Sequence, residues 1–153
     1  MEKVIDGFKA GIYATLVILV LMMLQTATGL VPEFHIVHTL SRVLGFPGNV
    51  FVGLIALIFI GTVIWGGAYA LVANRLPAKA GLTKGVMFGV GAWLVMMLVF
   101  MPIAGAGFFG LGRGTINIAL ITLALHLVFG GALGKLYDMT RNFDAMQGGQ
   151  HHA

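Results

Sequence analysis

The chain has 153 residues and a formal net charge of +4, with 59% hydrophobic and only 9% charged residues. A soluble domain carries roughly 25% charged residues, so this composition, with a mean hydropathy of +0.99, excludes a water-soluble globular domain and predicts an integral membrane protein. The absence of cysteine excludes disulfides, iron–sulfur clusters and thiolate zinc sites, and a total of five acidic residues argues against a carboxylate-rich metal or proton-relay centre.

Four apolar runs cover residues 8–30, 50–73, 85–104 and 116–136. Each run is nearly free of charge and reaches the ~20 residues that an α-helix needs to cross a bilayer. The sequence therefore predicts an all-α, four-helix transmembrane bundle over residues 1–137, followed by a polar cytoplasmic tail over 138–153. The first run is longer than a secretory leader needs and its start mixes acidic and basic residues, which predicts a retained span.

The basic residues of the connecting segments predict how the spans are oriented. Cytoplasmic segments of membrane proteins carry an excess of Lys and Arg. Seven of the nine basic residues lie in the N-terminal segment, the middle loop and the C-terminal segment, which share one side, whereas Arg42 and Arg113 lie on the other. This asymmetry predicts that both termini lie in the cytoplasm. The same asymmetry explains why basic residues outnumber acidic ones, so no nucleic-acid partner is needed to explain the positive net charge.

The first outer loop has the pattern of a short amphipathic helix lying on the outer membrane surface. Pro32 suits a first helical position, and Gly45 suits the end of the helix. One face carries apolar residues at helical spacing and another carries polar ones. These are Phe34, Val37, Leu40 and Leu44 on the first face, and His35, His38 and Arg42 on the second. We expect the polar face to be solvated or to contact a partner protein or lipid headgroup.

His35 and His38 lie three positions apart, where two imidazoles can share one metal ion. Glu33 is a poor third ligand, because it lies about 140° around the helix from His38. The residues therefore favour a solvated face over a metal site.

The chain repeats itself in two halves. A shift of 74 residues places Gly7 on Gly81 and Gly11 on Gly85, and a shift of 64 places Trp65 to Ala68 on the segment from Phe129. The repeat predicts two tandem helical hairpins of the same orientation. Four-residue spacing places the glycines on one face of each helix, which favours close packing within the bundle over an oligomer interface. They are Gly7 and Gly11, Gly81, Gly85 and Gly89, and Gly130 and Gly134.

The second outer loop is rich in glycine. Gly105, Gly107 and Gly110 match G-x-G-x-x-G, but a dinucleotide site also requires a preceding strand, and here a membrane helix precedes the motif. We expect a tight turn close to the membrane. Phe108 and Phe109 would then point toward lipid or a partner, and Arg113 would lie at the headgroups.

His126 lies within the fourth apolar run, where a polar residue is costly and often functional. A neutral imidazole bonded to a neighbouring helix, with Thr62 as the candidate partner, is favoured over a haem ligand and over a partner contact. Haem b is the cofactor that this histidine could bind, with Met96, Met97 or Met101 as the second axial ligand. Otherwise we expect no cofactor.

The aromatic residues predict packing positions. Trp65 and Trp93 lie inside their spans and are expected to fill the seams between helices. Tyr69 and Tyr137 lie near the cytoplasmic ends, where an amphipathic ring is expected at the membrane interface.

Two runs of the sequence carry a resemblance to a known family. They are Gly-Val-Gly-Ala-Trp-Leu-Val-Met-Met-Leu-Val-Phe-Met-Pro-Ile-Ala-Gly-Ala-Gly-Phe-Phe-Gly-Leu from Gly89 and Leu-Ala-Leu-His-Leu-Val-Phe-Gly-Gly-Ala-Leu-Gly from Leu123. With the Pro-containing stretches of the first outer loop, they resemble small four-span bacterial inner-membrane proteins that form a domain-of-unknown-function family. The resemblance covers most of the chain and implies a setting in respiratory membranes, with no activity or catalytic residue to carry over.

The sequence leaves three functions open. We expect a non-catalytic accessory or assembly subunit of a larger membrane complex, with a respiratory or electron-transfer complex as the leading expectation, because the spans lack the charges of transport or catalysis. The expected partners are the lipid bilayer and other membrane subunits, through Phe34, His35, His38, Arg42, Phe108, Phe109 and Arg113. The alternatives are a small haem- or quinone-binding redox protein using His126 and an oligomeric transporter or channel.

Overall fold

The computed structural model describes residues 2–28, 36–113 and 117–150, with the side chains of 25–28, 113, 117–118, 144–145 and 147–150 left aside. The regular elements within these ranges are all helices, which confirms the predicted fold class. They are α1 (Glu2–Thr28), α2 (Ile36–Val43), α3 (Val50–Val72), α4 (Gly81–Ile103), a 3₁₀ segment (Phe108–Arg113) and α5 (Asn117–Gln150).

Four of these helices contain stretches long and apolar enough to cross a bilayer. The stretches are Glu2–Leu24, Val50–Val72, Gly81–Ile103 and Ala119–Phe143. Large apolar side chains on their outer surfaces are exposed, such as Leu71 and Leu120. In a bilayer these surfaces face hydrocarbon, as expected of a multi-pass membrane protein. We call the end of the bundle that carries α2 and the 3₁₀ segment the loop end, and the opposite end, with the α3–α4 connection, the terminal end.

The helices pair as two hairpins, α1 with α3 and α4 with α5, and α1 also packs on α5. Glycines bring the backbones of each pair into contact. A Cβ added at Gly7 would meet the carbonyl of Gly66, and one added at Gly85 would meet the carbonyl of Gly130. The predicted role of the glycine faces in packing within the bundle is therefore confirmed.

Two spanning helices contain a π-helical segment, which the sequence analysis did not predict. In α3 the segment Ile60–Gly66 lies between the α-helices Val50–Phe59 and Gly67–Val72. In α4 the segment Met96–Phe100 follows Gly81–Val95. A π turn is wider than an α turn and changes the direction in which later side chains point. Residues of both segments line a cavity that opens between the helices.

The fourth spanning helix is longer than predicted. The apolar run ends at residue 136, but α5 continues as one helix of 34 residues through Gln150. The part of the chain that was predicted as a separate polar tail is thus helical as far as the structure describes it. Backbone hydrogen bonding within a helix does not require apolar side chains, so the end of the hydrophobic pattern does not end the helix.

The predicted amphipathic helix of the first outer loop exists as α2. Leu40 is buried, while His38 and Arg42 are exposed, as the pattern predicts. Contrary to the prediction, Leu44 lies beyond the helix and is 51% exposed. The helix packs on the start of α3, where the Val37 carbonyl lies over the Cα of Gly53. This contact holds α2 across the loop end of the bundle.

The two tyrosines near the terminal end are core residues, which corrects the prediction of an interfacial position. Tyr69 is 0% exposed and Tyr137 is 1% exposed. Their rings meet edge to face with centroids 5.3 Å apart, and Tyr69 also packs on Phe88 at 5.2 Å. Beside them the carboxylate of Asp6 is buried, with the Lys9 ammonium 3.8 Å away. The terminal end is thus a closely packed, partly polar core.

Candidate functional site

A cavity of about 470 Å³ opens between the four spanning helices, toward the loop end of the bundle. Pockets that hold small molecules in proteins have volumes of roughly 300–1,000 Å³. Residues Ile36 and Leu40 of α2 line its upper side, so the short helix covers the cavity at the loop end. The walls are otherwise formed by apolar side chains of α1, α3, α4 and α5, with Thr15, Thr122 and His126 as the polar members.

The cavity results from where the small residues lie. Gly7 and Gly66 bring α1 and α3 together near the terminal end, and Gly81 and Gly134 do the same for α4 and α5. Farther toward the loop end, larger side chains such as Phe100 keep the helices apart and line the cavity. Helices that touch through glycine at one end and through bulky side chains at the other leave space between them.

Both π segments contribute to the cavity wall. Ile60, Ile64 and Trp65 come from the π segment of α3, and Met96 and Phe100 come from that of α4. Single π turns within α-helices are frequently found at functional sites. Their coincidence with one cavity, on two different helices, marks this region of the bundle as the candidate site.

His126 lines the cavity, and its hydrogen bond determines which of the two ring nitrogens carries the hydrogen. Its Nδ1 lies 2.8 Å from the carbonyl oxygen of Thr122, one turn earlier on α5. A carbonyl oxygen only accepts, so Nδ1 must donate. An uncharged imidazole, the form favoured within a bilayer, then has Nε2 as a hydrogen-bond acceptor. The site therefore suits a ligand that presents an N–H or O–H group.

The prediction that His126 bonds Thr62 is wrong. The Thr62 hydroxyl is buried and has no hydrogen-bond partner in the described part of the chain, and the same holds for Thr15. A Cβ at Gly61 would meet the Thr15 hydroxyl, so this oxygen lies in the α1–α3 contact. His126 finds its partner on its own helix because a ring nitrogen can reach the carbonyl one turn back.

A small hydrogen-bond network fixes the part of α5 that carries His126. The indole Nε1 of Trp93, on α4, donates to the carbonyl of Ala119 at 3.1 Å and to the hydroxyl of Thr122 at 3.3 Å. The Thr122 hydroxyl in turn donates to the Ala119 carbonyl at 3.1 Å. The prediction that Trp93 fills a seam between helices is confirmed. Through Thr122 this network also holds the carbonyl that orients the His126 ring.

The other predicted site residues lie away from the cavity. On α2, His38 and Arg42 are exposed, and in the second outer loop Phe108 is 61% exposed. Phe109 packs inward on Trp93, with ring centroids 5.7 Å apart, and takes a positive φ of 54° that few non-glycine residues adopt. Phe34 and His35 lie outside the described residues, and so does the side chain of Arg113.

No group of three or more His, Cys, Asp or Glu side chains in the described ranges could hold a metal ion. The two residues considered as ligands beside His38, Glu33 and His35, lie outside the described residues. Met96, one of the methionines considered as a second haem ligand, lines the cavity with His126. Met97 and Met101 are instead fully buried in a cluster beneath the second outer loop.

The cavity and two of its polar residues, Thr15 and Thr122, were not predicted from the sequence. The spacing of Thr122 and His126 offered a usable signal, because residues four positions apart share one face of a helix. Thr15 offered none, because a lone threonine in an apolar run is common and bonds its own helix in many cases. The π segments also lack a residue pattern that would identify them.

A family model described as a family of unknown function, DUF6789, matches residues 1–147 of the chain. Neither the curated proteins nor the solved structures contain a match. The predicted resemblance to a family of unknown function is thereby confirmed, and the chain belongs to this family.

Proposed function

We propose that this member of a family of unknown function is a non-catalytic membrane protein that binds one small, uncharged, ring-containing molecule of the quinol class in the four-helix cavity. His126 carries the proposal, because it presents a hydrogen-bond acceptor to an otherwise apolar pocket of about 470 Å³. Pockets of this size with few polar groups use those groups to orient a ligand.

The chemistry of the walls supports an uncharged ligand. The lining is apolar apart from Thr15, Thr122 and His126, and none of these carries a formal charge when the histidine is neutral. Transfer of an unpaired charge into such surroundings is strongly unfavourable. An aromatic ring with hydroxyl groups suits both features, since its ring packs on Trp65 or Phe129 and a hydroxyl donates to His126 Nε2.

Equilibrium dialysis of the purified protein in detergent micelles against decyl-benzoquinol tests this proposal. The wild-type protein should bind one quinol, and His126→Leu should weaken binding by up to about tenfold, the equivalent of one hydrogen bond. His38→Leu, which removes an exposed imidazole from α2, serves as the matched control and should bind like the wild type. Equal affinity of all three proteins, or no binding by the wild type, would refute the proposal.

The same preparation distinguishes a haem protein from a quinol-binding protein. His126 and Met96 both line the cavity, and a His/Met pair is a known axial ligand set for haem. A Soret band in the absorption spectrum of protein purified from native membranes, lost in His126→Ala, would replace quinol by haem b as the ligand.

The second proposal is that the protein is an accessory or assembly subunit of a larger membrane complex, with a respiratory complex as the leading candidate. The loop end supports it, because exposed apolar side chains, Phe46 at 55% and Phe108 at 61%, accompany the exposed polar residues His38 and Arg42. Interfaces combine aromatic residues and arginine in this way. Both proposals hold together if the complex uses the bound quinol.

Native gel electrophoresis of gently solubilised membranes, followed by mass spectrometry, tests the subunit proposal. Co-migration of the wild type with a large complex would support it, provided that the double variant Phe108→Ser, Arg42→Glu no longer co-migrates. Migration as an isolated chain would contradict it. The proposed setting is the bacterial inner membrane, with both termini in the cytoplasm. The seven basic residues on the side of the termini support this orientation.

A further inference from the structure

We propose that the cavity opens sideways into the bilayer between α3 and α4. Its occupant is then an amphiphile of the membrane whose hydroxylated ring lies against His126 and whose hydrocarbon chain leaves through this gap. The inference rests on the proposed quinol-binding function and adds the route of entry and the presence of the chain.

The two sides of the cavity differ in exposure. On the side of α1 and α5, the lining residues Ile18, Thr122 and Phe129 are at most 9% exposed. On the opposite side, Ile64 of α3 is 47% exposed and Val95 of α4 is 48% exposed. The exposed lining residues therefore lie on α3 and α4, whereas the lining residues of α1 and α5 are buried or only partly exposed. At the loop end, Leu40 of α2 lines the cavity and is only 4% exposed.

The opening lies at the depth of the hydrocarbon core. Ile64 lies eight residues from Val72, at the terminal end of its span, and Val95 lies eight residues from Ile103, at the loop end of its span. The two residues therefore mark the lower and the upper part of the opening. At a rise of about 1.5 Å per residue each distance is roughly 12 Å, well inside a hydrocarbon layer about 30 Å thick. Lipid chains therefore surround the opening, and only a molecule dissolved in the bilayer can enter the cavity through this opening.

The gap has a lower boundary and irregular edges. Toward the terminal end, Phe88 of α4 packs edge to face on Trp65 and Tyr69 of α3, with centroids 5.8 and 5.2 Å apart. Ile64 belongs to the π segment of α3, and Val95 directly precedes that of α4. The helices are thus joined below the gap and depart from regular α geometry beside it, which is where a chain can pass between them.

The length of the chain on the quinol gives the test. We compare decyl-benzoquinol with methyl-benzoquinol, which has the same ring and no long chain, by dialysis against wild type, Ile64→Trp and Val95→Trp. Each tryptophan narrows the gap, so binding of the decyl compound should fall by about tenfold, while binding of the methyl compound should change little. Ile55→Trp, at an α3 position that is 67% exposed and does not line the cavity, is the control.

A second measurement covers the case in which a tryptophan turns into the cavity and blocks both compounds. The chain has no native cysteine, so a bis-maleimide can join Ile64→Cys to Val95→Cys without side reactions at other thiols. Joining the helices should slow release of pre-bound decyl-benzoquinol by about tenfold and leave exchange of methyl-benzoquinol unchanged.

The outcomes separate the two proposals. Suppose that the wild type binds both compounds, and that the gap variants and the linker affect both compounds equally. This result would overturn the sideways opening and leave the proposed quinol site intact. Failure of the wild type to bind either compound would overturn the proposed function, and the present inference with it.

Discussion

Replacement of Gly85 by alanine should force α4 and α5 apart. A Cβ at this position would overlap the carbonyl oxygen of Gly130 and would lie 2.8 Å from both the carbonyl carbon of Gly130 and the amide nitrogen of Gly134. All three are backbone atoms of α5. They cannot turn aside as a flexible side chain can, so the helix as a whole has to move.

The size of the effect follows from these distances. Ordinary van der Waals contact of a Cβ begins at 3.4 Å, so the 2.8 Å contacts are too short by about 0.6 Å. Addition of a methyl group to a close-packed contact costs typically about 1–3 kcal/mol. Close approach of backbones is also a main source of attraction between helices in a membrane. We expect Gly85→Ala to lower the free energy of unfolding by about 2 kcal/mol.

Gly91, on the same helix, provides the matched control. A Cβ at Gly91 would have no neighbouring atom within 4 Å in the described part of the chain. Gly91→Ala should therefore be neutral or stabilise the protein by up to about 1 kcal/mol through its higher helix propensity. Unfolding in mixed micelles of increasing dodecyl sulfate content, followed by circular dichroism, measures both variants. Equal unfolding midpoints for the two would refute the reasoning from close backbone approach.

Three further substitutions test a helix cap, a hydrogen bond between helices and a buried hydroxyl with the same unfolding assay. Asn49→Ala removes the side chain that caps α3 by accepting from the Val52 amide at 3.2 Å, and should cost about 1 kcal/mol; no change would mean that the cap does not stabilise the helix. Trp93→Phe removes the two indole hydrogen bonds to α5 and should cost about 0.5–1.5 kcal/mol, with weakened quinol binding through Thr122. Tyr137→Phe deletes a buried hydroxyl that has no partner among the described residues, so stability should stay the same or rise; a loss of more than about 1 kcal/mol would show that the hydroxyl is bonded.

The spans and the glycine contacts could be predicted from the sequence for a simple physical reason. A helix that crosses the bilayer must be long and apolar over its whole length, and this pattern is visible without knowledge of its neighbours. Glycine spacing is also local, since Gly81, Gly85 and Gly89 share a face wherever α4 packs. The polar side of α2 was predictable as well, because polar residues face water and apolar residues face the protein. His38 is exposed and Leu40 is buried, as this rule requires.

The cavity could not be predicted, because lipid and protein interior are equally apolar. Hydropathy therefore does not tell which face of a spanning helix points inward. Ile64 and Ile18 are the same residue type in similar runs, yet one is 47% exposed and the other 9%. The burial of Tyr69 was missed for a related reason, since a ring near a helix end suits both the headgroup region and a packed core.

The length of α5 has a mechanical consequence. Its 34 residues span roughly 50 Å, against a hydrocarbon layer about 30 Å thick. The helix that holds His126 therefore continues, without a break, beyond the stretch Ala119–Phe143 that can cross a bilayer, and Met146 on this extension is 68% exposed. A molecule that fills the cavity and tilts this helix would also displace Met146 at its far end. If the proposed ligand tilts the helix, we expect its binding among the spanning helices to change the position of the terminal end of α5.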